Sequence, residues 1–288
     1  MKKIAILGCE NSHADSFLTF IKEKEEFSDV QVVGVYSDDR AAADKLNEKF
    51  GVPVLEHYTD AVGKIDGLIV TARHGDNHYK YAKPYIDSGI PMFIDKPITV
   101  SEADALEFMA QLKSNNVRVT GGSSLKHDDV IMKLKKDAEE EVGGKTIGGY
   151  VRAPYQAVND YGGFFFYAPH LIEMVCQIFG NHPLSVTAKQ NGKQVHVLFH
   201  YENYDCVGLF CDSNYVYYAS RMSEKGSDSS PVTFSKDWYY REFKLFYDLL
   251  CGDAGEDYSE FIAPVFVMNA VYRAIESGKT EAVTKPVV

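Results

Sequence analysis

Short apolar segments alternate with amphipathic ones through the first 120 residues, and this alternation constrains the fold more than any other feature. Residues 4–7, 30–36, 67–71, 92–94 and 117–119 are compact apolar runs of the kind that form buried strands. Between them the apolar spacing is helical. Ala14, Phe17, Leu18 and Ile21 share a face within 13–24, and Ala42, Leu46 and Phe50 share one that Gly51 terminates. A helix over 77–88 stops at Gly89, and Ser101-Glu-Ala-Asp104 opens another that turns Leu106, Met109 and Leu112 inward. Buried strands separated by helices pair in parallel through crossovers, so the expectation is an α/β doubly wound parallel sheet. Ligands of such sheets bind beyond the carboxyl ends of the strands. That directs attention to residues 8–13, 37–40, 73–78 and 95–97.

The second half changes character. After a helix over 128–141 and the turn Gly143-Gly144, strand-like runs dominate at 149–153, 184–189, 195–201, 207–211 and 215–220, broken by one helix over 170–179. Helices over 239–250 and 258–277 close the chain, and the polar stretch 223–230 reads as a mobile loop. Consecutive strands without intervening helices point to a mainly antiparallel sheet. The division expected is 1–121 for the parallel sheet and 122–288 for an α+β substrate and oligomerisation domain.

Charge narrows the partners. The 30 Lys and Arg against 41 Asp and Glu give a net charge of −11, without the basic footprint of a nucleic-acid binder. No apolar run reaches the ~18 residues of a transmembrane helix, and the N-terminal residues lack the apolar core of a secretory leader. Cys9, Cys176, Cys206, Cys211 and Cys251 are odd in number and form no C-x-x-C pair, which reads as reduced thiols in a cytoplasmic protein.

Several segments together resemble the Gfo/Idh/MocA family of sugar oxidoreductases. Asp95-Lys96-Pro97 is similar to that family's Glu-Lys-Pro motif. Gly162-Gly163, followed by His170-Leu-Ile-Glu173 and Gly180, is similar to its second-domain helix motif. Phe246-Tyr-Asp-Leu-Leu250, Tyr258-Ser-Glu260 and Ser277-Gly-Lys279 are similar to its closing helices, in the same order. The resemblance implies a Rossmann domain, a mainly antiparallel second domain, NAD or NADP, and hydride transfer at a hydroxyl-bearing carbon of a sugar, polyol or related compound. It places Lys96 and His170 as catalytic residues: an ammonium orients the substrate oxygen, and an imidazole takes the hydroxyl proton. It also implies a homo-oligomer through the C-terminal sheet. A noncatalytic ligand-binding member of the same fold is the alternative.

Departures from the pattern mark the positions to examine. The phosphate-binding turn is Gly8-Cys-Glu10-Asn-Ser12-His13, so only the first glycine is kept and Glu10 sets a negative side chain where a pyrophosphate would come close. Ser12 and His13, at a helix N-terminus, either donate to an anion or simply cap the helix. Ser37 stands where an acidic residue usually holds ribose hydroxyls; Asp38 beside it favours NAD, whereas Ser37 with Arg40 would suit a 2′-phosphate. Arg73 and His78, with Asp95 and Pro97, complete the expected cofactor set. His74, Asp76 and His78 are too sparse a grouping to predict a metal. Phe166 replaces the aspartate that often precedes the histidine by four residues, so the substrate side is expected to involve Phe166, Tyr167 and Glu173. A helical turn after His170, Glu173 is a candidate substitute for the missing carboxylate, as is Asp160.

Overall fold

The computed structural model describes residues 1–235 and 237–288. Five strands form the parallel sheet: β1 (Lys2–Leu7), β2 (Val30–Tyr36), β3 (Gly67–Val70), β4 (Met92–Asp95) and β5 (Val119–Gly122), in the order β2-β1-β3-β4-β5. Helices α1 (Ser12–Glu23), α2 (Arg40–Phe50), α3 (Asp76–Ala82) and α4 (Glu102–Ser114) form the crossovers. The chain leaves β1 to one side for β2 and returns to the other for β3. The order therefore reverses at β1, and a ligand crevice belongs at its carboxyl end.

Two boundaries differ from the sequence reading. The helix expected over 77–88 is α-helical only to Ala82 and continues as a 3₁₀ turn, Lys83–Ser88, because Pro84 has no N–H to continue the α pattern. The fifth strand lies at Val119–Gly122 rather than 117–119. Gly121 is hidden in sequence by its low strand propensity, yet a Cβ there would sit 1.9 Å from the Ile94 carbonyl oxygen, so the pairing with β4 requires glycine.

The second sheet has seven strands: β6 (Thr146–Tyr155), β7 (Ser185–Asn191), β8 (Gln194–His200), β9 (Asp205–Asp212), β10 (Tyr217–Ser223), β11 (Gly226–Val232) and β12 (Glu281–Ala282). Their order is β11-β10-β6-β9-β8-β7-β12, antiparallel throughout except for the β6–β9 pair. The segment expected as a mobile loop is thus largely β11, the second arm of a hairpin with β10. It is polar because it is an edge strand, where Pro231 and exposed serines are tolerated.

The remaining helices are α5 (Asp129–Glu139), α6 (Phe164–Phe179), α7 (Asp237–Cys251) and α8 (Tyr258–Ser277). Leu171, Ile172, Val175 and Phe179 of α6 pack on Val151, Val186, Val197, Phe199 and Phe210 of the seven-stranded sheet. From α7, Phe243 and Phe246 return to the parallel sheet, joining Ile4, Ile6, Phe17 and Phe93. Helix α8 divides its apolar length: Phe261, Ile262, Val265 and Phe266 meet Phe108, Leu112 and Val119, whereas Val267, Met268 and Val271 join the core under the larger sheet. These buried aromatic and aliphatic contacts hold the two sheets in one arrangement, each fully buried large side chain contributing roughly 1.5–3 kcal/mol.

Candidate active site

At the crevice, Gly8 ends β1 with φ +74°, and a Cβ on it would lie 2.4 Å from the Cα and N of Ala72. Only glycine fits, so the first glycine of the turn between β1 and α1 is kept for steric reasons. Glu10 does not project into open space. One carboxylate oxygen accepts from Ser37 Oγ at 2.7 Å and the other from the Arg73 main-chain N–H at 2.9 Å. The side chain thereby ties the carboxyl end of β2 to that of β3, and Ser37 is committed to Glu10. Asn11, the residue before α1, makes no side-chain cap, and Ser12 is exposed with its hydroxyl 3.2 Å from Asn11 Oδ1. Asp38 accepts from the Tyr36 hydroxyl at 2.6 Å and lies 3.5 Å from Lys80 Nζ. The Tyr36 hydrogen bond is the main influence holding its carboxyl below the usual range. The crevice measures about 910 Å³; Glu10, Asp15, Asp38, Asp39, Asp76 and Asp160 line it against the cations Lys45 and Arg73.

Four of the residues expected at the cofactor, His13, His78, Asp95 and Pro97, are buried and do not line the crevice, though His13 touches the wall of a neighbouring cavity. His13 is 3% exposed, its Nδ1 3.1 Å from Asp95 and its Nε2 3.2 Å from Glu242 of α7. These are ion-pair contacts rather than aligned hydrogen bonds. Burial alone would lower the imidazole's pKa, but the two carboxylates together raise it. Burial also drives Glu242 upward. Asp95, fully buried, accepts from Asn11 Nδ2 at 2.8 Å and from the Lys96 N–H at 2.6 Å, so it braces the turn after β4 rather than facing a ligand. His78 is also fully buried, with Nδ1 2.6 Å from the Pro97 carbonyl and Nε2 2.8 Å from that of Ala72. The single N–H of the neutral ring donates to one of these carbonyls and staples the end of β3 to the Lys-Pro turn, and no grouping of His, Cys, Asp or Glu among the described residues could hold a metal. Pro97 packs close to Gly75, whose hydrogen it abuts, and shares this structural part.

A second cavity, of about 520 Å³, opens beside the crevice and shares Asn11, Ser12, Arg73 and Tyr161 with it. Lys96 and His170 both line it, as do Phe166 and Tyr167. Lys96 is 4% exposed; its Nζ donates to the Phe166 carbonyl at 3.3 Å and lies 4.5 Å from the Phe166 ring centre. Burial pushes its pKa down, helped by the charge of Arg73 and opposed by Asp95. His170 Nδ1 is 2.7 Å from Ser123 Oγ. Burial, then the charge of Lys96, holds its pKa well below the usual value, so the ring is neutral near pH 7. In the tautomer that donates Nδ1–H to Ser123, Nε2 is an acceptor. Arg73 donates from Nη1 to the Tyr161 hydroxyl at 3.0 Å, its guanidinium 5.1 Å from that ring.

The helical start of α6 explains Phe166. In an extended chain, three consecutive phenylalanines alternate between two faces. In α6 successive side chains turn by about 100°, so Phe164 enters the core, Phe165 lies against Tyr272, and Phe166 faces the cavity. Glu173 does not follow it there. It is 6% exposed, accepts from the Ser123 N–H at 2.8 Å, and sits under β5, where burial pushes its pKa up to about 7. It braces the residue that holds His170 and does not replace the missing carboxylate at the cavity. Asp160 lies at the rim of the crevice, not in the Lys96–His170 cavity. Tyr217, Phe234, Trp238 and Tyr239 complete the cavity wall and carry no local sequence signal, because they arrive from the distant sheet and α7. Ser123 was within reach of sequence reasoning: it directly follows β5, at a carboxyl end.

The architecture is thus a doubly wound parallel sheet whose crevice opens beside a Lys–His cavity, backed by a mainly antiparallel sheet. Residues 2–123 match the model of the Gfo/Idh/MocA oxidoreductase family, with its NAD-binding Rossmann fold. Escherichia coli (strain K12) YhhX, an uncharacterized oxidoreductase, is 26% identical over 121 residues. The match takes in 39% of this chain and 35% of that protein, so the chain covers about a third of this relative's length. Solved structures share the whole fold. A myo-inositol dehydrogenase from Corynebacterium glutamicum superposes with a TM-score of 0.82 at 15% identity, covering 100% of both chains. Scyllo-inositol dehydrogenase from Lactobacillus casei, with NAD(H) and scyllo-inositol bound, gives 0.84 at 16% over 98% of this chain and 99% of that one. Myo-inositol 2-dehydrogenase from Lactobacillus plantarum gives 0.84 at 14%, again over 98% and 99%. No helix among the described residues is long and apolar enough to cross a membrane.

Proposed function

We propose that the protein is an NAD(P)-dependent oxidoreductase, with NAD preferred, acting on a secondary hydroxyl of a cyclic polyol, sugar or related hydroxy compound. The observation that carries this is the convergence of Lys96, from the end of β4, and His170, from α6, on one cavity continuous with the crevice at the reversal of strand order.

The crevice suits a dinucleotide. Gly8 keeps the tight turn, the start of α1 has no side-chain cap, and Arg73 lies where the two spaces meet. Glu10 lies across the ends of β2 and β3 instead of against the turn, so its carboxylate takes over the ribose-facing part that Ser37 lacks. Each of its oxygens has one protein donor and keeps acceptor capacity for a ribose hydroxyl. Six acids around the crevice oppose a 2′-phosphate, which supports NAD over NADP.

When bound, the nicotinamide supplies the hydride acceptor or donor. Lys96 Nζ donates to the substrate oxygen and stabilises its alkoxide character, and His170 Nε2 takes the hydroxyl proton in the oxidative direction. Ser123 and Glu173 hold the imidazole in position.

The open face of the seven-stranded sheet supports a homo-oligomer in this reading: Leu198 and Val207 pair across β8 and β9 and are 39% and 37% exposed. All five cysteines are free, in keeping with a cytoplasmic location. The test is NAD reduction with a panel of inositols, sugars and hydroxy compounds, using wild type and His170→Asn. Turnover of at least one substrate, lost in the variant, is expected. Turnover untouched by the substitution would overturn the assignment of His170.

A further inference from the structure

Carboxylates are missing from the walls of the Lys96–His170 cavity. Among the described residues lining it there is no Asp or Glu, whereas Lys96 and Arg73 both face it. The nearby acids are occupied elsewhere. Asp95 and Glu242 clamp His13, Glu173 takes the Ser123 N–H, and Asp128 accepts from Trp238 Nε1 at 2.8 Å. Arg73 has no carboxylate partner among the described residues; its one side-chain hydrogen bond is to the neutral Tyr161 hydroxyl. The rest of the wall is mostly aromatic, with Phe166 at the position nearest Lys96.

Without a carboxylate, such a lining meets the hydroxyls of a fully hydroxylated ring only through neutral groups such as Asn11, Ser12, Gln156 and the tyrosines, and not at all on the Phe166 side. Each hydroxyl is a donor, and a donor buried against Phe166 goes unpaired. The same lining suits an anion, since a half-buried guanidinium without a counter-charge gains most from a carboxylate that meets it in a fork. Resting on the oxidoreductase reading, we propose that the substrate is a hydroxy acid: a small compound with an apolar ring, one reacting hydroxyl at Lys96 and His170, and a carboxylate held by Arg73.

The test titrates the full chain, with and without NADH, with 3-hydroxycyclohexanecarboxylate and with myo-inositol, read by calorimetry. The hydroxy acid should bind at least about tenfold more tightly than the inositol. In the absence of NADH, Arg73→Gln should lower its affinity by about 10–100-fold, the worth of a hydrogen bond to a charged group, and that for inositol by a smaller factor. Phe166→Asp, which restores an acid, should shift the preference toward inositol. Equal or tighter binding of inositol to wild type, or a preference unmoved by both substitutions, would overturn the proposal. NADH binding is recorded separately by nicotinamide fluorescence. Hydroxy-acid binding without NADH binding would therefore sink the oxidoreductase reading and leave the ligand class standing, and NADH binding with an inositol preference would do the reverse.

Discussion

Replacing Glu173 by Gln should stabilise the protein, and by more as the pH rises. The carboxyl is buried under β5 with the Ser123 N–H as its main-chain donor, and burial raises its pKa from 4.5 to about 7. In the unfolded chain a glutamate ionises near its ordinary value. Between the two values the native state therefore keeps a proton that the unfolded state has shed, and native stability falls as pH rises through that window. At ~1.36 kcal/mol per pH unit, the interval from 4.5 to about 7 comes to about 3 kcal/mol. Glutamine has the same shape, its carbonyl oxygen accepts the same hydrogen bond, and it does not ionise. That net shift already contains the attraction of Lys126, so the gain above pH 7 is about 3 kcal/mol. For a chain of this size that is roughly 6–12 °C in Tm. Thermal unfolding of both proteins followed by circular dichroism from pH 5 to 8.5 gives the comparison. The Tm difference should be near zero at the acid end and largest at the alkaline end. A constant difference, or a variant that melts lower at pH 8, would refute the burial argument and return Glu173 to the list of ligand-facing groups.

Other substitutions probe the crevice and cavity. Lys96→Met should lower kcat by at least about 100-fold while the melting temperature holds or rises, because it removes a buried ammonium from the cavity wall; retained turnover would count against catalysis by Lys96. Glu10→Gln should weaken NADH binding and cut the discrimination against NADPH by roughly tenfold, the worth of a charge-assisted hydrogen bond; stronger binding would mean that the carboxylate repels the cofactor instead of holding it. Gly8→Ala should cost about 2–4 kcal/mol in urea unfolding, from the positive φ and the contact with Ala72; a neutral result would mean that the turn relaxes.

The parallel half was legible because its information is local. Each strand is a compact apolar run, and Gly51 and Gly89 stop their helices in the left-handed conformation as their positions implied. Lys96 was legible as a residue just past a strand end, whereas His170, read as the first residue of its helix, lies well inside α6. What stayed hidden depends on distant partners. His13 reads as a helix N-terminal donor until Glu242, from a helix more than two hundred residues later, closes the far side of its ring. Strand β11 carries no apolar alternation, because an edge strand need not bury its outer positions. The early start of α6 was masked by Pro169, which sits inside the helix although a proline usually marks a helix boundary. Glu10 reads as a repulsive charge until Ser37 and the Arg73 N–H are seen to hold it.

The claim that a dinucleotide crevice feeds the Lys96–His170 cavity is tested most directly by titrating the purified protein with NADH and with NADPH and following nicotinamide fluorescence. The account predicts saturable NADH binding with a Kd of about 1–100 μM and NADPH binding at least about tenfold weaker. Absence of saturation by either nucleotide up to about 1 mM would contradict it.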